Sequence, residues 1–394
     1  MTEVLPEPVV HPTTRSCPFD PHDGLRELRA ERPLARLHCP GGRGGWLVTS
    51  HALVREVLVD PRFGTRLDLQ LFPTVPDEAV PAPAGMFSVL DPPEHTRYRR
   101  KLATWFSARR MRVLRARVEQ LVDERLAALR RTGGPTDLVT SFAAPLTDEV
   151  ICELLGIRLA DEAGVRRAVE RMLTFGDELG TTAWAELRDL VAQLVRGKAQ
   201  RPGDDLISAL VADDELTTDE VITMVIVLVT GAQDTTTSAL ALGACALLSN
   251  PDQFAALRDD PSLADGVVEE LLRYLAIIQF GVVRVALVDV ELRGATIRRG
   301  DLVVLSLSTA NRDPAQFPDP DRLDIARSAS GHVAFGHGVH HCLGAQLART
   351  VLRTGLSGLA RDLPGLRLAV EPDQVQIREA TVNYGVHSLP VDWD

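Results

Sequence analysis

The chain has 394 residues, of which 45% are hydrophobic and 25% are charged, a composition typical of a globular protein long enough to bury a large core. The formal net charge of −11 at pH 7 argues against a general nucleic-acid-binding protein, because such proteins carry a basic surface. The five cysteines are widely spaced and include no C-x-x-C pair, which favours a reducing compartment over a disulfide framework.

Residues 1–17 are proline-rich and contain no basic stretch followed by an apolar core, so we expect an N-terminal extension that is neither a signal peptide nor a membrane anchor. The apolar run Val221–Val229 is too short to span a bilayer. We therefore expect a soluble, cytoplasmic monomer that binds neither membrane nor nucleic acid, with one domain over residues 18–394.

Helical periodicity dominates the chain, and short strands are a minority. The patterns predict a strand at 46–49, a long loop at 66–90, strands within 281–309 and a small hairpin at 382–391. Helices are predicted at 50–60, 94–106, 108–132, 146–156, 161–175, 182–198, 217–249 and 261–275, and from Cys342 to about residue 362. This layout predicts a mainly α fold with a small β region.

The most informative stretch is Phe335–Gly344, in which three glycines surround Cys342 and an apolar helical pattern follows. Glycine lets the backbone approach a large planar ligand, because it has no side chain to clash. A sulfur at a helix N-terminus lies where free N–H groups favour the thiolate, and such a thiolate can be the axial ligand of a haem iron. For an isolated cysteine, the simpler interpretation is a structural turn.

The whole stretch resembles the haem-binding loop of the cytochrome P450 monooxygenases, F-G-x-G-x-H/R-x-C-x-G, and matches it at every fixed position. The resemblance covers almost the whole chain, from about Pro18 to the end. It implies the P450 fold, with haem b between the long central helix and the helix after the cysteine loop. It also implies that Cys342 ligates the iron, and that the haem contacts Phe335, Gly336, Gly338, His340 and Gly344.

The stretch Gly231–Thr236 lies within the long predicted helix, where glycine and threonine permit a local distortion. By the resemblance, Asp234 and Thr235 are the acid–alcohol pair that relays two protons to dioxygen, while the thiolate supplies electron density from the other side. Ala232 replaces a glycine of many family members, so its methyl group is expected to narrow this space or alter the helix groove. Thr236 and Thr237 are more simply interpreted as facing solvent.

Four cationic or imidazole side chains match the positions that hold the haem propionates in the family. His95 and Arg99 are four residues apart and share one helix face, so they would act together. Arg284 and His340 match the remaining propionate-binding positions. For His95 alone, a solvated histidine would be the simpler interpretation.

The motif E-x-x-R places Glu270 and Arg273 on one helix face, which alone is weak evidence because surface ion pairs are common. The family has this motif in the helix behind the haem loop, closed by a later arginine. The resemblance therefore implies a buried structural network of Glu270, Arg273 and Arg322.

A basic block follows His95 in an otherwise acidic chain, and one-sided charge can attract an oppositely charged partner. By the resemblance, an acidic ferredoxin would deliver electrons at this face, supplied by a reductase from NADPH or NADH. No G-x-G-x-x-G fingerprint for a bound dinucleotide follows a strand. The block comprises Arg97, Arg99, Arg100, Lys101, Arg109, Arg110, Arg112, Arg115 and Arg117.

The resemblance also places a set of mostly apolar residues above the haem, which predicts a hydrophobic substrate held by shape. Phe175 and Trp184 are candidates for the roof of this pocket. The predicted pocket residues are Met86, Phe87, Val89, Val227, Gly231, Ala232, Ile277, Ile278, Phe280, Val382 and Tyr384.

The sequence thus predicts a bacterial-type P450 that hydroxylates or epoxidises a hydrophobic small molecule, with analogy pointing to natural-product biosynthesis. Three alternatives stay open: oxidative C–C or C–N coupling without oxygen insertion, a peroxide-driven variant, and a non-catalytic haem-thiolate sensor or carrier. Asp234 and Thr235 argue against the peroxide-driven variant, because peroxide brings its own protons.

Overall fold

Helices make up most of the chain. The computed structural model describes residues 7–12, 14–39, 44–65, 81–173, 177–275, 277–378 and 381–394. The α-helices of these residues are α1 (Leu25–Glu31), α2 (His51–Val59), α3 (Glu94–Ala103), α4 (Ala108–Thr132), α5 (Ala144–Leu155), α6 (Leu159–Leu173), α7 (Asp177–Gln200), α8 (Leu206–Val211), α9 (Thr218–Leu248), α10 (Pro251–Asp259), α11 (Ala264–Leu275), α12 (Leu307–Ala310) and α13 (Ala345–Asp362).

Short strands form one larger sheet and several small ones. The strands are β1 (Leu34–His38), β2 (Gly44–Val48), β3 (Phe63–Gly64), β4 (Thr136–Asp137), β5 (Val282–Ala286), β6 (Val290–Leu292), β7 (Ala295–Ile297), β8 (Leu302–Leu305), β9 (Arg367–Leu368), β10 (Ile377–Arg378), β11 (Gly385–Val386) and β12 (Pro390–Asp392). The five-stranded sheet has the order β1-β2-β8-β5-β3, in which β2 and β8 are parallel and the other pairs are antiparallel. The predicted mainly α fold with a small β region is confirmed.

Local signals in the sequence account for the ends of the long helices. Helix α4 begins and ends where the periodicity predicts, with the Ser107 side chain accepting from the Arg110 N–H at its start. Helix α9 opens with a capping box, in which Thr217 and Glu220 each satisfy the backbone N–H of the other.

The predicted hairpin at 382–391 is wrong. Strand β11 pairs with β10, whereas β12 pairs with β4 and β9, so the two C-terminal strands belong to different sheets. The strand patterns of 382–391 are adjacent in sequence, but the partners of β12 come from other parts of the chain.

Helix α9 is the centre of the main core and packs against α5, α7 and α13. By length and composition α9 could cross a membrane, and its most apolar window exceeds the run Val221–Val229. However, 56% of that window is buried inside the fold, as is expected for a core helix.

The N-terminal segment packs against the domain over its described residues. Val9 donates its N–H to the Arg36 carbonyl and accepts from the His38 N–H, at 2.9 and 2.8 Å, beside β1. His11 is buried against the ring of Phe280, with 5.8 Å between the ring centroids. The described part of this segment thus contacts β1 and the loop between α11 and β5.

Candidate active site

A cavity of about 460 Å³ lies between α9 and the loop that precedes α13. Val227, Gly231 and Thr235 of α9 line one wall, and the loop that contains Cys342 lines another. The walls are mostly apolar, and no carboxylate lies among the described residues that line them. The two stretches with the strongest chemical signals in the sequence thus face one shared space.

The cysteine loop is shaped by two glycines in the left-handed region, Gly336 with φ of 69° and Gly338 with φ of 75°. A Cβ atom on Gly338 would also lie 2.8 Å from the Leu58 carbonyl oxygen, so the loop needs glycine there. The Cys342 N–H donates to the Phe335 carbonyl at 2.9 Å, which closes the loop.

Cys342 is the only exposed cysteine of the five, and it is accessible from the cavity. Although the sulfur is accessible from the cavity, the many protein atoms around it desolvate the thiolate and raise the pKa of the Cys342 thiol, while the Gly344 N–H and the guanidiniums of Arg99 and Arg349 lower it. The N–H donor predicted at the start of α13 is therefore present. In the protein alone, however, burial has the larger effect on the pKa of the thiol.

One end of the cavity carries two arginines and two histidines. His95, Arg99, Arg284 and His340 all line it, and the rings of His95 and His340 lie 4.1 Å apart between centroids. Desolvation by burial lowers the pKa of Arg284 to about 10 and that of His340 to about 3. The Nδ1 atom of His95 is buried and has no hydrogen-bond partner in the described chain. This end of the cavity is therefore suited to an anionic group.

Asp91 binds Thr65 beside this end of the cavity. Its Oδ1 accepts from the N–H and the hydroxyl of Thr65, at 2.8 and 3.0 Å, and the Thr65 hydroxyl lies 3.4 Å from His340 Nε2. The sequence shows Asp91 next to two prolines but gives no sign of this role, because Thr65 is 26 residues away.

Helix α9 runs without a break through Gly231–Thr236, so any distortion that glycine and threonine permit there does not interrupt the helix. The Thr235 hydroxyl donates to the Gly231 carbonyl at 2.7 Å, and a Cβ atom on Gly231 would meet open space. Ala232 and Thr236 also line the cavity, so the prediction that Thr236 faces bulk solvent is wrong. Asp234 is only 8% exposed and does not line the cavity.

Comparison with known proteins identifies the family to which a chain with this site belongs. A sequence model described as cytochrome P450 matches residues 181–361. Cytochrome P450 105C1 from a Streptomyces species is 42% identical over 389 residues, covering 98% of this chain and 99% of that protein. The chain belongs to the cytochrome P450 family.

Two further similarities span the whole P450 fold. Vitamin D3 dihydroxylase from Streptomyces griseolus is 42% identical over 395 residues, covering 97% of this P450 and 96% of that protein. The crystal structure of CYP105P1 in complex with filipin I matches with a TM-score of 0.93 and 40% identity, covering 98% of this chain and 99% of that chain. This protein is therefore a P450 oxidoreductase with the fold and the haem b cofactor of its family.

The walls of the cavity fit haem b by several independent features. The buried, unpartnered Nδ1 of His95 and the two arginines offer donors to anionic propionates. Cβ atoms on Gly336 and Gly344 would meet nothing within 4 Å, so the loop leaves open space beside Cys342. A metal ion bound by Cys342 would deprotonate the thiol despite its burial.

The buried charge network exists, but with a different third arginine from the one predicted. Arg273 donates to both oxygens of Glu270, at 2.7 and 2.8 Å, and both side chains are fully buried. The Arg327 Nε donates to Glu270 at 3.2 Å. Arg322 is exposed and contributes only its backbone carbonyl, which accepts from Arg273 at 3.3 Å.

The assignment of Arg322 to the network is therefore wrong. The chain after Pro320 turns so that the backbone of residues 320–322 faces Arg273, while the side chain that returns to Glu270 comes from Arg327. Spacing along the sequence could not distinguish two arginines five residues apart.

Six of the eleven predicted pocket residues line the cavity, and five do not. Those in the walls are Phe87, Val227, Gly231, Ala232, Ile277 and Ile278. Those outside them are Met86, Val89, Phe280, Val382 and Tyr384. Met86 and Val89 flank the inward-facing Phe87 and are only half-buried, while Val382 is 42% exposed.

Phe280 and Tyr384 do not line the cavity and instead contact residues between positions 11 and 22 near the N-terminus. The ring of Phe280 lies 5.8 and 5.9 Å from the rings of His11 and His22. The ring of Tyr384 is buried beneath the Arg15 guanidinium, 3.8 Å from its centroid. The sequence carries no signal for these contacts, because they join segments more than 250 residues apart.

The predicted roof of the pocket is not assembled from the described residues. Trp184 packs against the main core and does not line the cavity, and Phe175 lies outside the described residues. The walls instead include residues that the sequence did not single out, such as Phe106 and, at the end of α5, Leu154 and Leu155. Local periodicity marks these residues as apolar but cannot separate pocket from core.

The basic block is largely neutralised by local ion pairs. Five of its nine cations pair with carboxylates, and Arg99 instead donates to the His341 carbonyl at 2.9 Å. Arg100, Arg109 and Arg112 are exposed and have no ion-pair partner among the described residues. The five pairs are Arg97–Glu220, Lys101–Asp213, Arg110–Asp204, Arg115–Glu119 and Arg117–Glu153.

One of these pairs joins the helix that carries His95 to the start of α9. Glu220 accepts from Arg97 Nη1 at 2.6 Å and from the Tyr98 hydroxyl at 2.7 Å. Burial raises the pKa of Glu220, but these bonds and those from Thr217 outweigh burial and lower the pKa to about 2. The ionised carboxylate therefore stabilises the folded protein.

We expect Glu220→Gln to destabilise the protein at pH 7 but to matter less in acid. Because the folded pKa lies below the ordinary value of 4.5, the contribution is complete above about pH 4.5 and is lost as pH falls towards 2. The shift corresponds to on the order of 3 kcal/mol. Urea unfolding followed by circular dichroism should show the difference in stability between variant and wild type narrowing from pH 6 to pH 3.

Glu119→Gln is the matched control, since Glu119 is an exposed acid in an i,i+4 pair with Arg115 on α4. It should change stability by less than about 0.5 kcal/mol at any of these pH values. A constant gap between Glu220→Gln and wild type across the same range would show that the ionisation of Glu220 is not linked to folding.

Proposed function

We propose that this P450 is a cytoplasmic haem-thiolate monooxygenase that hydroxylates or epoxidises an apolar small molecule in natural-product biosynthesis. The observation that carries the proposal is the shared cavity, with Cys342 on one wall and Gly231 and Thr235 of α9 on another. The name of the relative vitamin D3 dihydroxylase supports hydroxylation as the reaction.

Each part of the cavity would have a distinct task in the reaction. Haem, when bound, supplies the centre at which dioxygen is activated and the substrate oxidised. The Cys342 sulfur would hold that centre from one side, and Arg284 and His95 would hold the propionates. Thr235 places a hydroxyl in the opposite wall, where it can pass a proton into the cavity.

The apolar walls would position the substrate by shape. Phe87, Val227, Ile277 and Ile278 offer no hydrogen bonds from their side chains. The two arginines of the cavity lie at the end proposed for the propionates, so a substrate carboxylate would have to compete for them. A hydrophobic substrate with few polar groups fits this arrangement best.

Electrons would come from an acidic ferredoxin, reduced by its reductase with NADPH or NADH. The exposed Arg109 and Arg112, which lack ion-pair partners among the described residues, support a contact with an acidic protein. The paired members of the basic block would contribute less, because neighbouring carboxylates cancel their charge.

The test begins with an optical titration of the ferric protein against natural-product scaffolds, since a shift from low to high spin identifies compounds that displace iron-bound water. Hits are then turned over with a surrogate ferredoxin and reductase under isotopically labelled dioxygen. A product that gains one labelled oxygen atom supports the proposal. Loss of two hydrogens without oxygen indicates oxidative coupling, and haem binding without any NADPH consumption indicates a sensor or carrier.

We expect Asp234→Asn to slow product formation by roughly tenfold or more, since positioned acid–base groups typically contribute about 10²- to 10⁴-fold. NADPH would still be consumed, but more of its electrons would appear as hydrogen peroxide, because the second proton arrives late. Product, NADPH and peroxide should be quantified together. Asp219→Asn, which alters an exposed acid in the first turn of α9, should leave all three unchanged. An unaltered rate and peroxide yield in Asp234→Asn would remove this residue from the relay.

A further inference from the structure

The carboxylate of Asp234 is held from outside the cavity by two residues near the C-terminus. Its Oδ1 accepts from Arg378 Nη1 at 2.7 Å, and its Oδ2 accepts from Asn383 Nδ2 at 2.8 Å. Both carboxylate oxygens are thus engaged, while the next residue, Thr235, lines the cavity. Asp234 therefore lies directly behind the wall that carries the proposed proton donor.

Arg378 is fitted closely to this face of α9. Its Nη2 donates to the Ser238 hydroxyl at 2.5 Å, one helical turn beyond Asp234, so one guanidinium spans two residues on the same face. In the β10–β11 pair, Arg378 lies opposite Gly385. A Cβ atom on Gly385 would lie 2.6 Å from the Ser238 hydroxyl and 2.7 Å from Arg378 Nη2, so only glycine leaves room for the guanidinium.

Asn383 is held in place by Thr381 and by Ile278, and Ile278 lines the cavity. It pairs with Ile278 in an isolated antiparallel bridge, and the Thr381 hydroxyl donates to its carbonyl at 2.7 Å. Asn383 is 4% exposed, whereas the Arg378 side chain is 18% exposed. The carboxylate thus sits between a fully buried amide and a cation that solvent can reach.

We propose that Arg378 and Asn383 are positioning residues for proton supply, which hold the Asp234 carboxylate where it can take up a proton from solvent and pass it to Thr235. Resting on the proposed function, this inference adds the path by which protons reach the cavity. In each transfer, a proton from bulk solvent reaches the carboxylate through water near Arg378, and Asp234 passes it to the Thr235 oxygen. The Thr235 hydroxyl then leaves the Gly231 carbonyl and releases its own proton into the cavity. No electrons move between these groups.

The alternative is that Arg378 only anchors the β10–β11 strands to α9. In that case its replacement would lower thermal stability and substrate affinity, but the proton-dependent readouts would not change. The solvent deuterium isotope effect on turnover and the peroxide formed per NADPH therefore separate the two roles.

The experiment compares Arg378→Gln, Arg378→Lys and Asp234→Asn in the haem-loaded enzyme. Arg378→Gln should lower coupled product formation by roughly tenfold, as expected for a displaced catalytic group, and should raise both the peroxide yield and the solvent isotope effect. Arg378→Lys keeps a cation but loses one of two contacts, so it should recover part of the coupling. This second variant also serves if Arg378→Gln does not fold.

A double-mutant cycle completes the test. If Arg378 acts through Asp234, then Arg378→Gln should add no further loss in the Asp234→Asn background. Additive losses, or single variants with normal peroxide yield and isotope effect, would overturn the inference. If Asp234→Asn is impaired while Arg378→Gln is normal, only the inference fails. If Asp234→Asn is itself normal, the proposed proton relay fails with it.

Discussion

Replacing Cys342 with serine is expected to abolish the thiolate-type spectrum of the ferrous carbonyl complex and to reduce product formation by more than 100-fold. Changes to residues that merely support a metal ligand already lower activity by about 10- to 100-fold, so loss of the ligand itself should exceed that range. The fold should persist, because the Cys342 side chain faces the cavity and is not part of the apolar core. Absorbance spectra and turnover with a surrogate ferredoxin measure both effects.

Cys17→Ser is the appropriate control, since Cys17 is half-buried in the N-terminal segment and does not line the cavity. It should retain the wild-type spectrum and rate. A thiolate-type carbonyl spectrum in Cys342→Ser would refute Cys342 as the ligand and would direct attention to the other cysteines.

The second large effect is expected for Glu270→Gln. The Arg273 side chain is completely buried and the Arg327 side chain is only 10% exposed. Loss of the carboxylate that they share would therefore leave two guanidiniums with no buried counter-charge. Removing one partner from a buried ion pair costs about 3–5 kcal/mol. Urea unfolding should show a loss of this size. The protein should also retain less haem during purification, because Leu271 and Leu272, next to Glu270 on α11, line the cavity.

Arg322→Ala provides a control that also tests the corrected network. The side chain of Arg322 is exposed and only its carbonyl bonds to Arg273, so the variant should change stability by less than about 0.5 kcal/mol. Equal destabilisation by Glu270→Gln and Arg322→Ala would restore the assignment made from sequence. Wild-type stability in Glu270→Gln would show that the network does not stabilise the fold.

The sequence alone was sufficient where the signal is local. Helix α4 and the capping box of α9 follow from side chains within one or two turns of each other, because helical hydrogen bonds connect residues four apart. The cysteine loop is equally local: Gly336 and Gly338 supply backbone conformations that other residues rarely adopt, so a ten-residue pattern is enough to identify it.

Tertiary structure decided which distant residues meet. Asp234 and Arg378 are 144 positions apart, and Glu270 pairs with Arg327 instead of Arg322, because the path of the backbone after Pro320 determines which guanidinium returns to the carboxylate. The same holds for Phe280 and Tyr384, whose apolar character predicts burial but not the neighbour. Periodicity and motifs encode short-range geometry, whereas pocket walls and buried charge pairs depend on how helices and strands pack across the whole chain.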